Sequence, residues 1–128
     1  MTKAPSLKQV IMFHASTIEE QGGEAGLRDE GLLDAAISAP FQTFGEQDLF
    51  PSLIEKAARL AFGILKNHPF IDGNKRTAAI TLLYFLKINS INLEYTQTEF
   101  YELIIAVACG NKTQEDLISW IISHQSEK

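Results

Sequence analysis

Residues 68 to 76 read HPFIDGNKR and separate two segments in which apolar residues recur at helical spacing. Pro69 requires the upstream helix to end at about His68, because the residue before a proline is disfavoured in helical geometry. A second helix restarts at Gly73 or Asn74 and is apolar almost all round, which is typical of a helix buried in the middle of a bundle. The stretch therefore predicts a loop between two helices, the second of which is central.

Helix-capping signals recur along the rest of the chain. The predicted helix starts are Ser6 with Gln9, Asp29, Ser52 with Glu55, Gly73 or Asn74, Thr96 with Glu99, and Thr113 with Asp116. Phe41 to Phe50 has no clear helical period, and Ile91 to Tyr95 is short and extended, so we expect a short flap or hairpin arm among these segments. The pattern predicts an all-α bundle of about six helices, formed by one domain over residues 1–128.

The composition is that of a soluble globular protein. Apolar residues make up 45% of the 128 residues and charged residues 21%, and no apolar run approaches the ~18 residues that a membrane span needs. The N-terminal residues lack an apolar signal core, and the single cysteine, Cys109, excludes an internal disulfide and a cysteine-rich zinc site. We therefore expect a cytoplasmic protein without a membrane partner. Cys109 continues an apolar helical pattern and is predicted to lie in the core.

The charge balance is acidic. The formal net charge is −5, and no basic run is longer than the pair Lys75-Arg76. Affinity for nucleic acids comes largely from neutralising phosphates with clustered basic side chains. We therefore expect no direct contact with nucleic acid.

The residues at the start of the central helix indicate an anion site. Lys75 and Arg76 fall in its first turn, where the positive end of the helix dipole disfavours each cation by ~0.3–1 kcal/mol. Unpaired backbone N–H groups lie at the same end, and phosphate groups commonly bind there. Gly73 lets the backbone approach a ligand closely, and Asn74 can cap the helix or hold the loop.

Two further side chains suit catalysis on phosphate. His68 can act as a general base, and Asp72 can hold Mg²⁺ together with substrate phosphates. Phe70 lies between them and is predicted to anchor the loop in the core. Each residue also has a plain structural explanation: a histidine favours a helix C-terminus, an aspartate caps helices, and a Lys-Arg pair is commonly solvated.

The loop resembles the signature of the Fic/Doc superfamily, H-P-F-x-[DE]-G-N-G-R-x-x-R. The matching positions are His68, Pro69, Phe70, Asp72, Gly73, Asn74 and Arg76. Lys75 replaces the second glycine and Ala79 replaces the second arginine, and both departures are those of the Doc, or death-on-curing, branch. Residues 26–33 (GLRDEGLL) are also similar to the family's N-terminal G-x-R-x-x-G-L-L segment, and Asn67 and Trp120 fit as well.

The resemblance implies a Fic/Doc-like helical fold and a type II toxin that uses ATP and Mg²⁺. Fic enzymes transfer AMP to a protein hydroxyl, whereas Doc toxins bind the nucleotide in the opposite direction and transfer its γ-phosphate to a threonine of elongation factor Tu, which arrests translation. By this resemblance His68 would deprotonate the hydroxyl and Asp72 would hold Mg²⁺. Gly73, Asn74, Lys75 and Arg76 would bind phosphates, with Arg76 also offsetting charge during transfer.

The resemblance also implies a cognate antitoxin whose disordered tail folds into an apolar groove of the toxin. Two alternatives remain open: nucleotidyl transfer to a protein hydroxyl, and a non-catalytic binding module of the same fold. Outside the loop, we expect His14 to be a packed core histidine. Arg28 could contact phosphate or form a local ion pair, and Phe41 to Phe50 could be a substrate-positioning flap or a plain connection.

Overall fold

The computed structural model describes residues 2–126, so Met1, Glu127 and Lys128 of the predicted domain lie outside the described residues. The helices are α1 (Leu7–Gln21), α2 (Glu30–Ser38), α3 (Leu53–Asn67), α4 (Asn74–Ile88), α5 (Gln97–Ala108) and α6 (Gln114–Ser123), with a 3₁₀ turn at Ala39–Phe41. The strands are β1 (Thr43–Phe44), β2 (Gln47–Asp48), β3 (Asn92–Leu93) and β4 (Gln125–Ser126). The predicted all-α class with six helices is confirmed for this part of the chain.

The helix starts follow from local side-chain chemistry. Four helices begin with complete capping boxes, in which the cap hydroxyl accepts from a backbone N–H three residues on and the side chain there accepts in return. These boxes are Ser6 with Gln9, Ser52 with Glu55, Thr96 with Glu99, and Thr113 with Asp116. Asp29 caps α2 by accepting from the N–H of Leu32. All five starts are those that the sequence predicts.

Helix α4 is the central element, packed against α1, α3 and α5. Its buried side chains include Ala78, Leu82, Phe85 and Leu86. One stripe remains half-buried at Ile80 and Leu83, so the helix is enclosed on most but not all of its circumference. Although α4 is apolar, none of the helices within residues 2–126 combines the length and apolarity that crossing a bilayer requires.

The two extended segments pair in different ways. Within Phe41 to Phe50, β1 and β2 form an antiparallel hairpin that turns at Gly45, whose φ of +65° suits glycine. β3 instead pairs antiparallel with β4 at the C-terminal end, joining Asn92 to Ser126 and Leu93 to Gln125. The hairpin arm is therefore present, whereas the partner of β3 comes from a part of the chain that no local pattern indicates.

The predicted burial of Cys109 is wrong, because this side chain is exposed. Cys109 is the C-cap of α5, one residue beyond the last helical position, and Gly110 follows it with a φ of +84°. The apolar pattern of α5 therefore stops defining a buried face at Ala108.

Gly63 allows α2 and α3 to pack closely. A Cβ at this position would lie 2.9 Å from the Cβ and 3.2 Å from the Cα of Ala36 on α2. We expect Gly63→Ala to lower the free energy of unfolding by about 1–3 kcal/mol through overpacking, although alanine is the better helix former. Urea unfolding measures the change. The control is Gly31→Ala at an exposed position of α2, where the added Cβ meets only a side-chain oxygen of Asp29 at 3.3 Å. Equal effects of the two substitutions would contradict the packing explanation.

Candidate active site

The loop begins with a strained residue. His68 is the C-cap of α3 and has φ 48° and ψ 57°, a left-handed conformation that costs a residue with a side chain about 1–2 kcal/mol. Its backbone N–H donates to the carbonyl of Ile64 at 3.2 Å. Pro69 explains why the helix stops here, since it disfavours the right-handed helical conformation at His68. The imidazole is exposed, and no described residue hydrogen-bonds to its ring.

Two buried residues, Phe70 and Asn74, hold the middle of the loop against the core. Phe70 is 1% exposed, and its backbone N–H and carbonyl both bond to the side chain of Asn74, at 3.0 Å and 2.9 Å. Asn74 is itself buried, so its amide closes the loop and does not face a ligand. A phosphate-binding role for Asn74 stays a prediction for its backbone N–H alone, at the start of α4.

Asp72 presents an exposed carboxylate that two backbone N–H groups orient. Oδ1 accepts from Gly73 at 2.8 Å and Oδ2 accepts from Glu24 at 3.1 Å. These two bonds, the one from Glu24 first, hold the pKa of the Asp72 carboxyl below its ordinary value, and the nearby charges of Arg76 and His14 lower it further. Asp72 is therefore ionised at neutral pH with its position already set.

The two cations of the first turn of α4 have different surroundings. Arg76 donates from Nη1 to Oε1 of Gln21 at 3.1 Å and from Nη2 to the carbonyl of Gly22 at 3.0 Å. These acceptors lie at the C-terminus of α1, whose negative dipole end favours a cation, so Arg76 is stabilised without an added anion. Lys75 is exposed and has no bonded partner among residues 2–126. Lys75 is therefore available to an anion at the start of α4, whereas Arg76 already has acceptors at the end of α1.

A second segment supports the loop along its length. The N–H of Ile71 donates to the carbonyl of Gly26 at 3.1 Å, and Leu27 forms an isolated antiparallel bridge with Phe70. Arg28 lies in the same segment and contacts neither phosphate-binding residues nor an acidic partner; it donates to the carbonyls of Asn67 and His68. The predicted local ion pair of Arg28 is therefore wrong for the described residues, whereas contact with a phosphate stays a prediction. The glycines at positions 22, 23 and 26 are the sequence feature that could have indicated a backbone segment lying close against the loop.

His14 links α1 to the loop. It is 4% exposed, stacks on the ring of Phe70 with 3.9 Å between centroids, and its Nε2 donates to the carbonyl of Asp72 at 2.7 Å. Because a carbonyl only accepts, the hydrogen bond requires a proton on Nε2. His14 is thus a buried histidine that also fixes the backbone at the carboxylate.

The described residues suit Mg²⁺ only when it is shared with a nucleotide. Within residues 2–126 no group of three or more His, Cys, Asp or Glu side chains is arranged to hold a metal ion. Asp72 offers a single ionised carboxylate whose oxygens each retain a free acceptor position. Mg²⁺ is commonly held by one or two carboxylates with substrate phosphates and water, and Asp72 fits that donor set.

The structure is a helical bundle in which a loop that begins with a histidine precedes the central helix, as the resemblance to the Fic/Doc superfamily implies. Residues 4–86 match the model of the Fic/DOC family, and because they make up more than half of the 128 residues, the chain belongs to this family. The matched range includes both the loop and residues 26–33, whereas Trp120 lies beyond it. The expected membership of the Fic/Doc superfamily is confirmed.

Two curated relatives bear Doc names. The chain is 47% identical to Toxin Doc of Mycolicibacterium smegmatis (strain ATCC 700084 / mc(2)155) over 72 residues, which are 56% of this chain and 55% of that toxin. It is 29% identical to Protein kinase doc of Escherichia phage P1 over 105 residues, 82% of each chain. The first match therefore spans about half of the mycobacterial toxin.

The position of the Asp72 carboxylate depends on Gly23. A Cβ at Gly23 would lie 2.7 Å from Oδ2 of Asp72, whereas a Cβ at neighbouring Gly22 would meet nothing within 4 Å. Both glycines have positive φ, +115° and +81°, so alanine strains the backbone at either position. For the transfer reaction proposed below, we expect Gly23→Ala to lower the activity by about 10-fold or more relative to Gly22→Ala, because the added Cβ would displace the Asp72 carboxylate. Activity per folded molecule is the measurement, and similar losses in both variants would show that strain alone is responsible.

Proposed function

We propose that this protein is a toxin of a toxin–antitoxin system that transfers the γ-phosphate of ATP to a protein hydroxyl in the cytoplasm. The observation that carries the proposal is one loop that holds exposed His68, the exposed and pre-oriented carboxylate of Asp72, and Lys75, which has no bonded partner among residues 2–126. Similarity to a relative named Protein kinase doc supports the reaction, and similarity to one named Toxin Doc supports the biological role.

In the proposed reaction His68 accepts the proton of the substrate hydroxyl as its oxygen attacks the γ-phosphorus. A new oxygen–phosphorus bond forms, the bond from the γ-phosphorus to the β–γ bridging oxygen breaks, and ADP leaves. Lys75, the N–H groups at the start of α4 and the remaining donors of Arg76 bind the phosphates. When bound, Mg²⁺ at Asp72 would neutralise charge on the phosphate oxygens.

Two positions favour phosphate transfer over AMP transfer. Lys75 places a long cation where the Fic pattern has glycine, so the phosphate chain cannot lie as close to the backbone there. Ala79 is 4% exposed and offers no donor where the pattern has a second arginine. Both changes alter the phosphate-binding positions that an AMP-transferring enzyme would use.

Transfer of label from ATP to elongation factor Tu tests the proposal. We expect label on a threonine from the γ-position and none from the α-position. Label from the α-position alone would establish nucleotidyl transfer instead, and the same assay with other nucleotides extends that alternative. If no nucleotide labels the factor, the target is a different protein, and a cell extract replaces it as the acceptor pool.

The hairpin is proposed to position the protein substrate. Buried Lys56 of α3 holds its base through Asp48, at 3.1 Å from Oδ2, and through the carbonyl of Phe50. Phe44 at the turn is 80% exposed, which leaves an apolar side chain available to a partner. Because its base is fixed and its tip is exposed, the hairpin suits a role in substrate positioning better than the role of a simple connecting loop.

A groove along the half-buried stripe of α4 is the proposed antitoxin site. Two adjoining cavities of about 190 and 200 Å³ share Leu83 and Tyr95. Their apolar lining comes from Ala79, Ile80, Leu83, Leu86, Ile91, Leu93, Tyr95, Phe100 and Tyr101. The groove also includes Gln21, which bonds to Arg76, so an antitoxin tail folded into it would reach the loop.

Co-expression with the product of the adjacent reading frame tests the groove. We expect Ile80→Glu to abolish neutralisation by the antitoxin while growth arrest persists, because a buried charge opposes apolar packing. Ile105→Glu, at a residue of α5 that is 48% exposed and does not line the groove, is the control and should remain neutralised. Unchanged neutralisation of Ile80→Glu would place the antitoxin elsewhere.

A further inference from the structure

The catalytic imidazole proposed above is positioned through its backbone. The ring of His68 receives no hydrogen bond from the described residues, so no second side chain orients it as an aspartate orients the histidine of a serine protease. The direction of the side chain therefore depends on the left-handed φ and ψ of His68 itself. Whatever holds that backbone conformation sets where the base points.

Arg28 holds this backbone through three successive residues. Its Nε donates to the carbonyl of His68 at 2.7 Å, and its Nη2 donates to the carbonyl of Asn67 at 2.8 Å. Its backbone N–H donates to the carbonyl of Pro69 at 2.7 Å. A planar guanidinium offers donors in a fixed fork, so two neighbouring carbonyls bound by one side chain have little freedom to rotate.

The location of the guanidinium also suits its charge. The carbonyls of Asn67 and His68 end α3, where the helix dipole is negative and the last acceptors lack helical partners. Arg28 satisfies two of them at once. Nε and Nη2 each use an N–H in these bonds, so the orientation of the guanidinium is set by the end of α3.

We propose that Arg28 is a positioning residue for His68. By holding the left-handed backbone conformation of His68, it keeps the imidazole oriented to accept the proton of the substrate hydroxyl. The inference rests on the proposed transfer reaction, in which His68 is the base. Arg28 acts on the rate of the chemical step, because the protein substrate and nucleotide would contact the loop and not the carbonyls that Arg28 occupies. A residue that bound phosphate would instead change the affinity for ATP.

Steady-state kinetics of Arg28→Lys and Arg28→Gln distinguish these roles. Lysine retains the charge but carries its N–H donors on one nitrogen, and glutamine retains an uncharged amide NH2, so neither has the two donor nitrogens that bind the two carbonyls. We expect kcat per folded molecule to fall about 10- to 100-fold in both, with KM for ATP and for the protein substrate within about twofold. Arg59→Lys, the same change at an arginine that bonds to Gln114, is the control and should retain kcat.

Nuclear magnetic resonance of the His68 ring provides a readout that needs no substrate. We expect the ring signals of Arg28→Lys to shift or broaden as the imidazole samples several orientations, while those of His124 stay unchanged. Unaltered His68 signals together with unaltered kcat would overturn the proposal, and an increase in KM for ATP alone would assign Arg28 to phosphate binding. If the wild-type protein transfers no label, the proposed function fails, and the ring signals still decide whether Arg28 positions His68.

Discussion

His68→Gln is expected to reduce phosphate transfer by about 10²–10⁴-fold, the usual contribution of a positioned general base. Glutamine has a similar length and polarity but cannot accept the hydroxyl proton at neutral pH. Because the imidazole is exposed and bonded to no described residue, its replacement should leave the unfolding transition within about 0.5 kcal/mol of the wild type. The initial rate of label transfer from γ-labelled ATP is the measurement.

His124→Gln is the matched control for this substitution. His124 bonds to Glu99 at 2.9 Å on α5 and takes no part in the loop, so the same chemical change there should retain most of the transfer rate. Growth arrest on expression provides a second readout in cells. If His68→Gln retained the wild-type rate, the general base would be another group; if it retained growth arrest without transfer, the protein would act as a binding module.

The helices could be predicted because the information that starts and ends them is local. A capping box needs only two side chains three residues apart, and every such pair that we identified begins a helix. The pairing of β3 with β4 could not be predicted in this way, since two-residue strands show no alternation and their partners lie more than 30 positions apart. The prediction that Cys109 is buried was wrong for a similar reason, because an apolar pattern does not show at which residue its helix ends.

The residues of the candidate site were identified more readily than their roles. The sequence places Asn74 and Arg76 in a phosphate-binding loop, but it does not show that the amide of Asn74 is used within the loop or that α1 ends beside Arg76. Both facts depend on tertiary packing. The supporting role of Arg28 was hidden for the same reason, since its acceptors lie 39 and 40 positions away.

The structure divides the site into a fixed and an open part. Backbone groups that would be costly to leave unpaired are satisfied within the protein: the carbonyl of Asp72 by His14, that of His68 by Arg28, and both polar groups of Phe70 by Asn74. The His68 ring, the Asp72 carboxylate and the Lys75 ammonium remain exposed to solvent. Such an arrangement places reactive groups on a rigid frame while leaving them free to meet a ligand.

Asp72→Asn is expected to lower the affinity for Mg²⁺ in the presence of a non-hydrolysable ATP analogue by about 100-fold or more. Loss of an outer partner of a metal site already costs about 10- to 100-fold, and Asp72 is proposed as a direct ligand. The asparagine oxygen can still accept one of the two backbone N–H groups that now bond to the carboxylate, so the loop should keep its shape. Titration with Mg²⁺ or Mn²⁺, followed calorimetrically, measures the change, and transfer activity should fall with it.

The pH dependence of metal binding provides the second half of this prediction. Since the folded protein holds the pKa of Asp72 below its ordinary value, the carboxylate stays ionised as the pH falls through the usual aspartate range and is protonated only below it. Metal affinity attributable to Asp72 should therefore be constant between about pH 5 and 8, where an ordinary aspartate is already ionised, and should persist into more acidic solution. Glu24→Gln, which leaves the backbone N–H at Asp72 in place, is the control and should not change it. Metal affinity of Asp72→Asn equal to that of the wild type would show that the nucleotide alone carries the ion.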